Sequence, residues 1–176
     1  MLEAVAERLA GRNAQIERLA IRELPPEALL LADWNHPAIE RAIAQVAHAR
    51  VVVVATPVYK AAYSGVLKVF LDLLAQNALK GKTVLPLATG GSPHHMLALD
   101  YALRPVLHAL SARHILPGVY ATDSQITLTP ENAYQVHPDL AERLNEATEV
   151  LATEGLKLPA THGFEPVPFS RVRCSV

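Results

Sequence analysis

The sequence has little of what secreted, metal-binding or membrane-spanning proteins need. Cys174 is the only cysteine among 176 residues, which excludes a disulfide framework, a CxxC redox pair and a thiolate metal cluster. The longest apolar runs are too short to cross a bilayer. Charged residues within the first ten positions exclude a secretory signal there. We therefore expect a soluble protein of the reducing cytoplasm.

An excess of charge of one sign is also absent. Sixteen basic and seventeen acidic residues give a formal net charge of -1, and no basic cluster indicates nucleic-acid binding. Any phosphate group must therefore be bound by a local feature. A hydrophobic content of 51% indicates one folded domain with a sizeable core. We assign that domain to residues 1–155, followed by a proline-containing tail over residues 156–176.

Helix and strand patterns alternate along the domain. An apolar stripe predicts a helix from Leu2 to about Gly11, and partial alternation predicts an edge strand over Gln15–Leu24. The other predictions are, in chain order, a loop over Leu29–Asn35, a helix over His36–Ala49, a strand over Val51–Val54, a helix over Val66–Leu74, a strand over Thr83–Ala88, a helix over Met96–Leu110, a strand over Ile115–Ala121 and a helix over Pro138–Ala152. Such alternation indicates a mainly parallel sheet between layers of helices.

The most informative stretch combines a buried strand, a loop and an amphipathic helix. Four consecutive valines, at positions 51–54, are typical of a parallel strand that helices cover on both faces. The loop that follows carries hydroxyl groups, two aromatic rings and a proline, and it ends at Ser64, a predicted helix N-cap, and Gly65. Open α/β sheets bind ligands where their strands end. The backbone of Thr56, Pro57, Val58 and Tyr59 is therefore the first candidate to contact a flat ligand.

A second turn follows the next strand, at Thr89, Gly90 and Gly91. Glycines permit a close approach of the backbone to a ligand, so this turn is predicted to line the opposite edge of the same ligand. The pair His94 and His95 has no third ligand at a supporting spacing, and we predict no metal site.

Pro105 lies inside the predicted helix over Met96–Leu110. It removes the hydrogen bond that the carbonyl of Tyr101 would accept. We therefore expect a kink or a π-bulge near Tyr101.

Three strings, ATPVYKAAYSGVLKVFLDLL, LKGKTVLPLATGG and ALDYALRPVL, resemble in order and spacing the NADPH-dependent FMN reductases of the flavodoxin-like fold. The resemblance is greatest to those of bacterial alkanesulfonate-utilisation systems, and it extends from Met1 to about Gly155. It implies an α/β three-layer sandwich with a parallel sheet. Because such folds open with a strand and a phosphate loop, and this chain lacks both, we expect these elements to be encoded upstream of Met1.

The resemblance also implies a function. It is the reduction of FMN by NADPH, with FMN and NADPH as cofactors and with transfer of reduced flavin to a monooxygenase that desulfonates alkanesulfonates. No catalytic side chain is expected, since the flavin carries the chemistry. The implied cofactor contacts are Thr56, Pro57, Val58, Tyr59, Ser64, Gly65, Thr89, Gly90, Gly91 and His95. The implied interface residues of a homotetramer or dimer are Asp100, Tyr101 and Arg104.

Three alternatives belong beside this interpretation. A flavin-retaining quinone or azo reductase would have the same fold, and a truncated, non-catalytic paralogue would act through oligomerisation. A flavodoxin-type electron carrier is disfavoured, because such carriers tend to be strongly acidic and this chain is nearly neutral. The sequence does not distinguish NADPH from NADH.

Overall fold

The computed structural model of the protein describes residues 1–12, 14–128 and 134–156. The tail predicted over residues 156–176 lies outside this range from residue 157 onward. Within the described residues the helices are α1 (Leu2–Ala10), α2 (Pro26–Leu30), α3 (Pro37–His48), α4 (Gly65–Asp72), α5 (Arg104–Ala109) and α6 (Pro138–Val150). The strands are β1 (Val51–Tyr59), β2 (Ala62–Tyr63), β3 (Thr83–Gly90), β4 (His114–Ile115), β5 (Val119–Thr122), β6 (Ile126–Leu128) and β7 (Tyr134–Val136).

Shorter helices connect these elements. Two are π-helical, at Leu99–Leu103 and Leu151–Leu156, and 3-10 helices occupy Ile21–Glu23, Pro93–His95 and Asp123–Gln125. None of the helices in the described residues is both long and apolar enough to cross a membrane.

The main sheet is built around β3. This strand pairs in parallel with β1 on one side and with both β4 and β5 on the other. The short strand β2 pairs antiparallel with the end of β1. The prediction of a mainly parallel sheet in an α/β fold is therefore confirmed. That a further strand and a phosphate loop belong upstream of Met1 stays a prediction.

Helices cover both faces of this sheet. Val84 and Ala88 of β3 share one hydrophobic cluster with residues of α3, α4 and α5. Leu85 and Leu87, which point the other way, share a second cluster with residues of α1 and α6. Successive side chains of a strand alternate between faces, so a strand buried on both sides is apolar at every position.

The central strand β3 runs through Pro86, as predicted. The Val84 carbonyl accepts a hydrogen bond from the Leu116 N–H at 2.9 Å, and residues two apart on a strand face the same neighbour. Pro86 therefore faces the segment that follows Leu116, where pairing with β3 is interrupted between β4 and β5. Because neither β4 nor β5 pairs with β3 at this point, the sheet loses no hydrogen bond through the absence of an N–H in Pro86.

Three of the predicted elements differ from the structure, in kind or in extent. Gln15–Leu24 is not a strand, because it has no described strand beside it. Instead Ile16 packs on one hydrophobic cluster while Leu19 and Leu24 pack on the other. The loop predicted over Leu29–Asn35 holds for residues 31–35, but its first two residues belong to α2. This short helix can begin at Pro26, because proline is tolerated in the first turn of a helix. The strand over Ile115–Ala121 is divided into β4 and β5, and the hairpin of β6 and β7 was not predicted.

Candidate functional site

The carboxyl ends of three strands meet at one edge of the sheet. Pro57 of β1 lies opposite Thr89 of β3. Thr89 and Gly90 in turn lie opposite Ala121 and Thr122 of β5. The two segments that the sequence singled out are therefore direct neighbours, as adjacent strands lie about 4.8 Å apart.

The segment Thr56–Tyr59 is the end of β1 and not the predicted loop. The true turn is Lys60–Ala61, where both residues have positive φ, at 51° and 62°. It connects β1 to β2 as a two-residue hairpin. Left-handed backbone at residues other than glycine costs about 1–3 kcal/mol each. The surrounding packing has to hold this turn in place, and the turn leaves Tyr59 of the same hairpin 58% exposed.

Hydroxyl groups join the end of β1 to the start of α4. Oγ1 of Thr56 accepts a hydrogen bond from the Ser64 N–H at 3.0 Å, and Oγ of Ser64 accepts one from the Leu67 N–H at 3.3 Å. The predicted N-cap role of Ser64 is thus confirmed. Both hydroxyl-bearing residues are buried. Thr56 and Ser64 therefore support the site through the hydrogen bonds that fix its backbone. A Cβ atom at Gly65, by contrast, would meet no atom within 4 Å.

The two glycines of the second turn differ in their surroundings. A Cβ atom at Gly90 would lie 2.4 Å from Oη of Tyr120 and 3.4 Å from Cβ of Val58. At Gly91 it would meet Oδ2 of Asp123 at 3.5 Å, an ordinary contact. A side chain at position 90 would therefore require the Tyr120 hydroxyl to shift, whereas residue 91 is exposed.

A cleft of about 220 Å³ lies on the α1 side of this edge. It is lined by Met1 and Leu2 at the start of α1, by Ala55, Thr56 and Pro57 of β1, and by Leu87, Ala88 and Thr89 of β3. A larger groove of about 570 Å³ lies elsewhere, between α3 and residues 74–82, and contains none of the predicted site residues. We take the smaller cleft as the candidate site, because ligands of open α/β sheets bind at the carboxyl ends of the strands.

His95 belongs to the 3-10 helix that follows the second turn, and its side chain is half-buried. Its backbone N–H donates to the Ser92 carbonyl at 3.2 Å. In the part of the chain that the structure describes, no group of three or more His, Cys, Asp or Glu side chains is arranged to hold a metal ion.

The predicted π-bulge near Tyr101 is confirmed, since Tyr101 is the central residue of the π-helix Leu99–Leu103. Its side chain is 79% exposed. Arg104 is instead held within the chain. It donates to Oδ1 of Asp100 at 3.0 Å and to the carbonyls of Ile115 and Leu116 at 3.1 and 3.2 Å. Tyr101 is therefore the most exposed member of the predicted interface trio, since the Asp100 side chain is 54% exposed and pairs with Arg104.

Sequence reasoning missed Tyr120, which lies beneath the second turn. Burial raises the pKa of its hydroxyl, and the nearby Asp123 carboxylate adds to the rise. The hydroxyl therefore stays protonated, and a donor, at neutral pH. One signal was available: a tyrosine in a buried strand needs a hydrogen-bond partner for its hydroxyl, but its partner could not be identified without the sheet register.

A mainly parallel sheet between helical layers, with a ligand cleft at the carboxyl ends of neighbouring strands, defines an α/β protein of the flavodoxin-like class. Residues 1–127 match the family model described as NADPH-dependent FMN reductase. The chain belongs to that family, a family of oxidoreductases, so FMN and NADPH are the cofactors that this site has to fit.

The relatives agree with this assignment. The chain is 48% identical over 149 residues to the FMN reductase (NADPH) of Escherichia coli K12, which covers 85% of this chain and 78% of that protein. It is 44% identical over 150 residues to the FMN reductase (NADPH) of Pseudomonas putida KT2440, covering 85% and 76%. A crystal structure of an NADH:FMN oxidoreductase in its apo form superposes with a TM-score of 0.79 at 41% identity, covering 89% of this chain and 81% of that one.

The site's chemistry fits a flavin. Gly91 presents exposed backbone without a side chain just after the end of β3, and apolar residues line much of the cleft. A flat, aromatic ring system needs such close backbone approach along its edges. At about 220 Å³, the cleft is smaller than the pockets of about 300–1,000 Å³ that hold whole ligands, so it would take one part of the cofactor.

Proposed function

We propose that this chain is a cytoplasmic FMN reductase that uses NADPH and passes reduced FMN to a partner monooxygenase. Family membership and the relatives named FMN reductase (NADPH) support the reaction. The observation that carries the proposal is the pairing of Pro57 with Thr89 beside a cleft at the carboxyl edge of the sheet.

FMN, when bound, would supply the chemistry, which is acceptance of a hydride from NADPH and a proton from solvent to give reduced FMN and NADP⁺. The chain holds and orients the ring. Backbone N–H groups of Thr56, Val58 and Tyr59 would hold one edge of the ring, with the Pro57 backbone beside them, since proline has no N–H to donate. Those of Thr89–Gly91 would hold the other edge, and the Tyr59 ring would pack near them. His95 supplies a polar contact, while Ser64 and Gly65 shape the start of α4.

The partner is a flavin-dependent monooxygenase that desulfonates alkanesulfonates during sulfur assimilation. The basis is the similarity of the three strings around Thr56, Thr89 and Tyr101 to reductases of alkanesulfonate systems. Such a role requires that FMN leave the protein after reduction. A chain that loses its FMN on repeated washing would support it, whereas retained FMN would favour the quinone or azo reductase alternative.

Oxidation of NADPH by the purified chain, followed by absorbance with and without added FMN, tests the reaction itself. We expect turnover that depends on added FMN and saturates with it. A rate of NADPH oxidation that does not depend on added FMN, or no oxidation at any FMN concentration, would contradict the proposal. Replacing NADPH by NADH in the same assay measures which nicotinamide is preferred.

We further propose that Asp100, Tyr101 and Arg104 lie at an interface between copies of this chain, in a tetramer or dimer. The support is an aromatic side chain 79% exposed on a π-helix. Asp100 and Arg104 contribute by bracing that helix through their mutual ion pair at 3.0 Å.

Replacing Tyr101 by alanine is expected to change the oligomeric state or FMN release much more than stability. The side chain is exposed, so the free energy of unfolding should shift by no more than about 0.5 kcal/mol. Sedimentation and FMN titration measure the expected effect. Tyr134→Ala is the matched control, since Tyr134 is 75% exposed but lies on β7. Unchanged sedimentation, FMN affinity and turnover in Tyr101→Ala would refute the interface.

A further inference from the structure

The side chain of Tyr120 connects β5 to the turn that follows β3. Its hydroxyl donates a hydrogen bond to the Ser92 carbonyl at 2.6 Å. The residue is only 6% exposed. Behind it, the Arg143 guanidinium on α6 donates to the Tyr120 carbonyl at 2.8 Å. Arg143 thus holds the backbone of Tyr120, and the Tyr120 side chain holds the turn that follows β3.

The hydroxyl also lies against Gly90. The position of a Cβ atom at Gly90 is 2.4 Å from Oη, but 3.4 Å from Cζ of the same ring and 3.4 Å from Cβ of Val58. Tyr120 Oη is therefore the one atom that would have to shift if alanine replaced Gly90. The three residues that meet here are on neighbouring strands: Val58 on β1, Gly90 on β3 and Tyr120 on β5. The Tyr120 side chain therefore lies where the two segments proposed to contact the flavin, Thr56–Tyr59 and Thr89–Gly91, come together.

We propose that Tyr120 is a positioning residue for FMN. Its hydroxyl fixes the backbone of Gly90–Ser92 in the position from which that backbone would contact the edge of the flavin ring. This inference rests on the proposed function. The Ser92 carbonyl accepts from both the Tyr120 hydroxyl and the His95 N–H. Without the Tyr120 hydroxyl, this carbonyl keeps only the bond from the His95 N–H, and the link from β5 to the end of β3 is lost.

Tyr120→Phe is the first test, because it removes the hydroxyl and leaves the ring. We expect KM and Kd for FMN to rise about three- to tenfold, as for the loss of one net hydrogen bond. At saturating FMN, kcat should stay within about twofold, since the chemistry belongs to the flavin. FMN fluorescence titration and NADPH oxidation give the two quantities.

Thr148→Val is the matched control for a buried hydroxyl. Thr148 is 1% exposed and its Oγ1 donates to the Leu144 carbonyl at 2.6 Å, on α6. Both variants should lose a similar amount of thermal stability, but only Tyr120→Phe should raise KM for FMN. If the two variants lose stability alike and neither changes KM, Tyr120 has a structural role only and the proposal fails.

The closing experiment combines two substitutions. Gly90→Ala should weaken FMN binding more than Tyr120→Phe does, because its methyl group meets Oη. In the double variant the nearest atoms are 3.4 Å away, so FMN affinity should return to the level of Tyr120→Phe. A double variant no better than Gly90→Ala would overturn the proposal. Failure of the unmutated chain to bind or reduce FMN would overturn the proposed function, and this inference with it.

Discussion

Replacing Thr56 by valine is expected to lower affinity for FMN at least about tenfold and to reduce the free energy of unfolding by about 1–3 kcal/mol. Valine keeps the shape of threonine but removes the oxygen that accepts the Ser64 N–H at 3.0 Å. Both residues are buried, at 5% and 7% exposure, so water cannot replace the lost acceptor. An unsatisfied buried N–H costs more than the net value of the bond itself.

The effect on FMN follows from where this hydrogen bond lies. Thr56 precedes Pro57, which lines the cleft, and Ser64 caps α4. The substitution removes the hydrogen bond that holds the end of β1 against the start of α4. FMN titration and urea unfolding measure the two effects. Thr56→Ser restores the oxygen and should behave like the unmutated chain. Equal FMN affinity in the valine and serine variants would show that this hydroxyl does not shape the site.

The features that sequence predicted well depend on contacts close in the chain. Ser64 was identified as an N-cap because a serine preceded a helical stripe. The π-helix around Tyr101 was identified because Pro105 removes a hydrogen bond four residues back. Neither inference needs knowledge of the rest of the fold.

The extent of β1 could not be predicted from its own residues. Thr56 and Pro57 are typical of a turn, yet pairing with β3 continues without interruption to Thr89. The turn that ends the strand, Lys60–Ala61, lacks the glycine or asparagine that marks two-residue hairpins. Tertiary contacts overrode the local preference here, as they often do in strands.

Long-range partners were the other limit. Tyr120 and Ser92 are bonded across 28 residues, and only the parallel register of β3 and β5 brings them together. In the same way, the alternation in Gln15–Leu24 was genuine, but a strand forms only where another strand offers its backbone. In the structure this stretch divides its apolar residues between the two hydrophobic clusters.

The largest loss of stability is expected for Leu144→Ala. Leu144 is fully buried on α6, in the hydrophobic cluster that also holds Val5 of α1 and Leu87 of β3. Truncation removes transfer free energy and leaves a cavity, which together cost about 2–5 kcal/mol for a buried leucine. For a domain of this size that corresponds to a fall in Tm of roughly 4–20 °C.

Leu30→Ala makes the same chemical change at a residue that is 74% exposed on α2, and it should alter stability by no more than about 0.5 kcal/mol. Urea unfolding of the two variants beside the unmutated chain measures the difference. Because α1 packs on this cluster and its first residues line the cleft, FMN affinity in Leu144→Ala should fall well before the sheet unfolds. A loss below about 1 kcal/mol would mean that α6 is not packed against α1 and β3 as described.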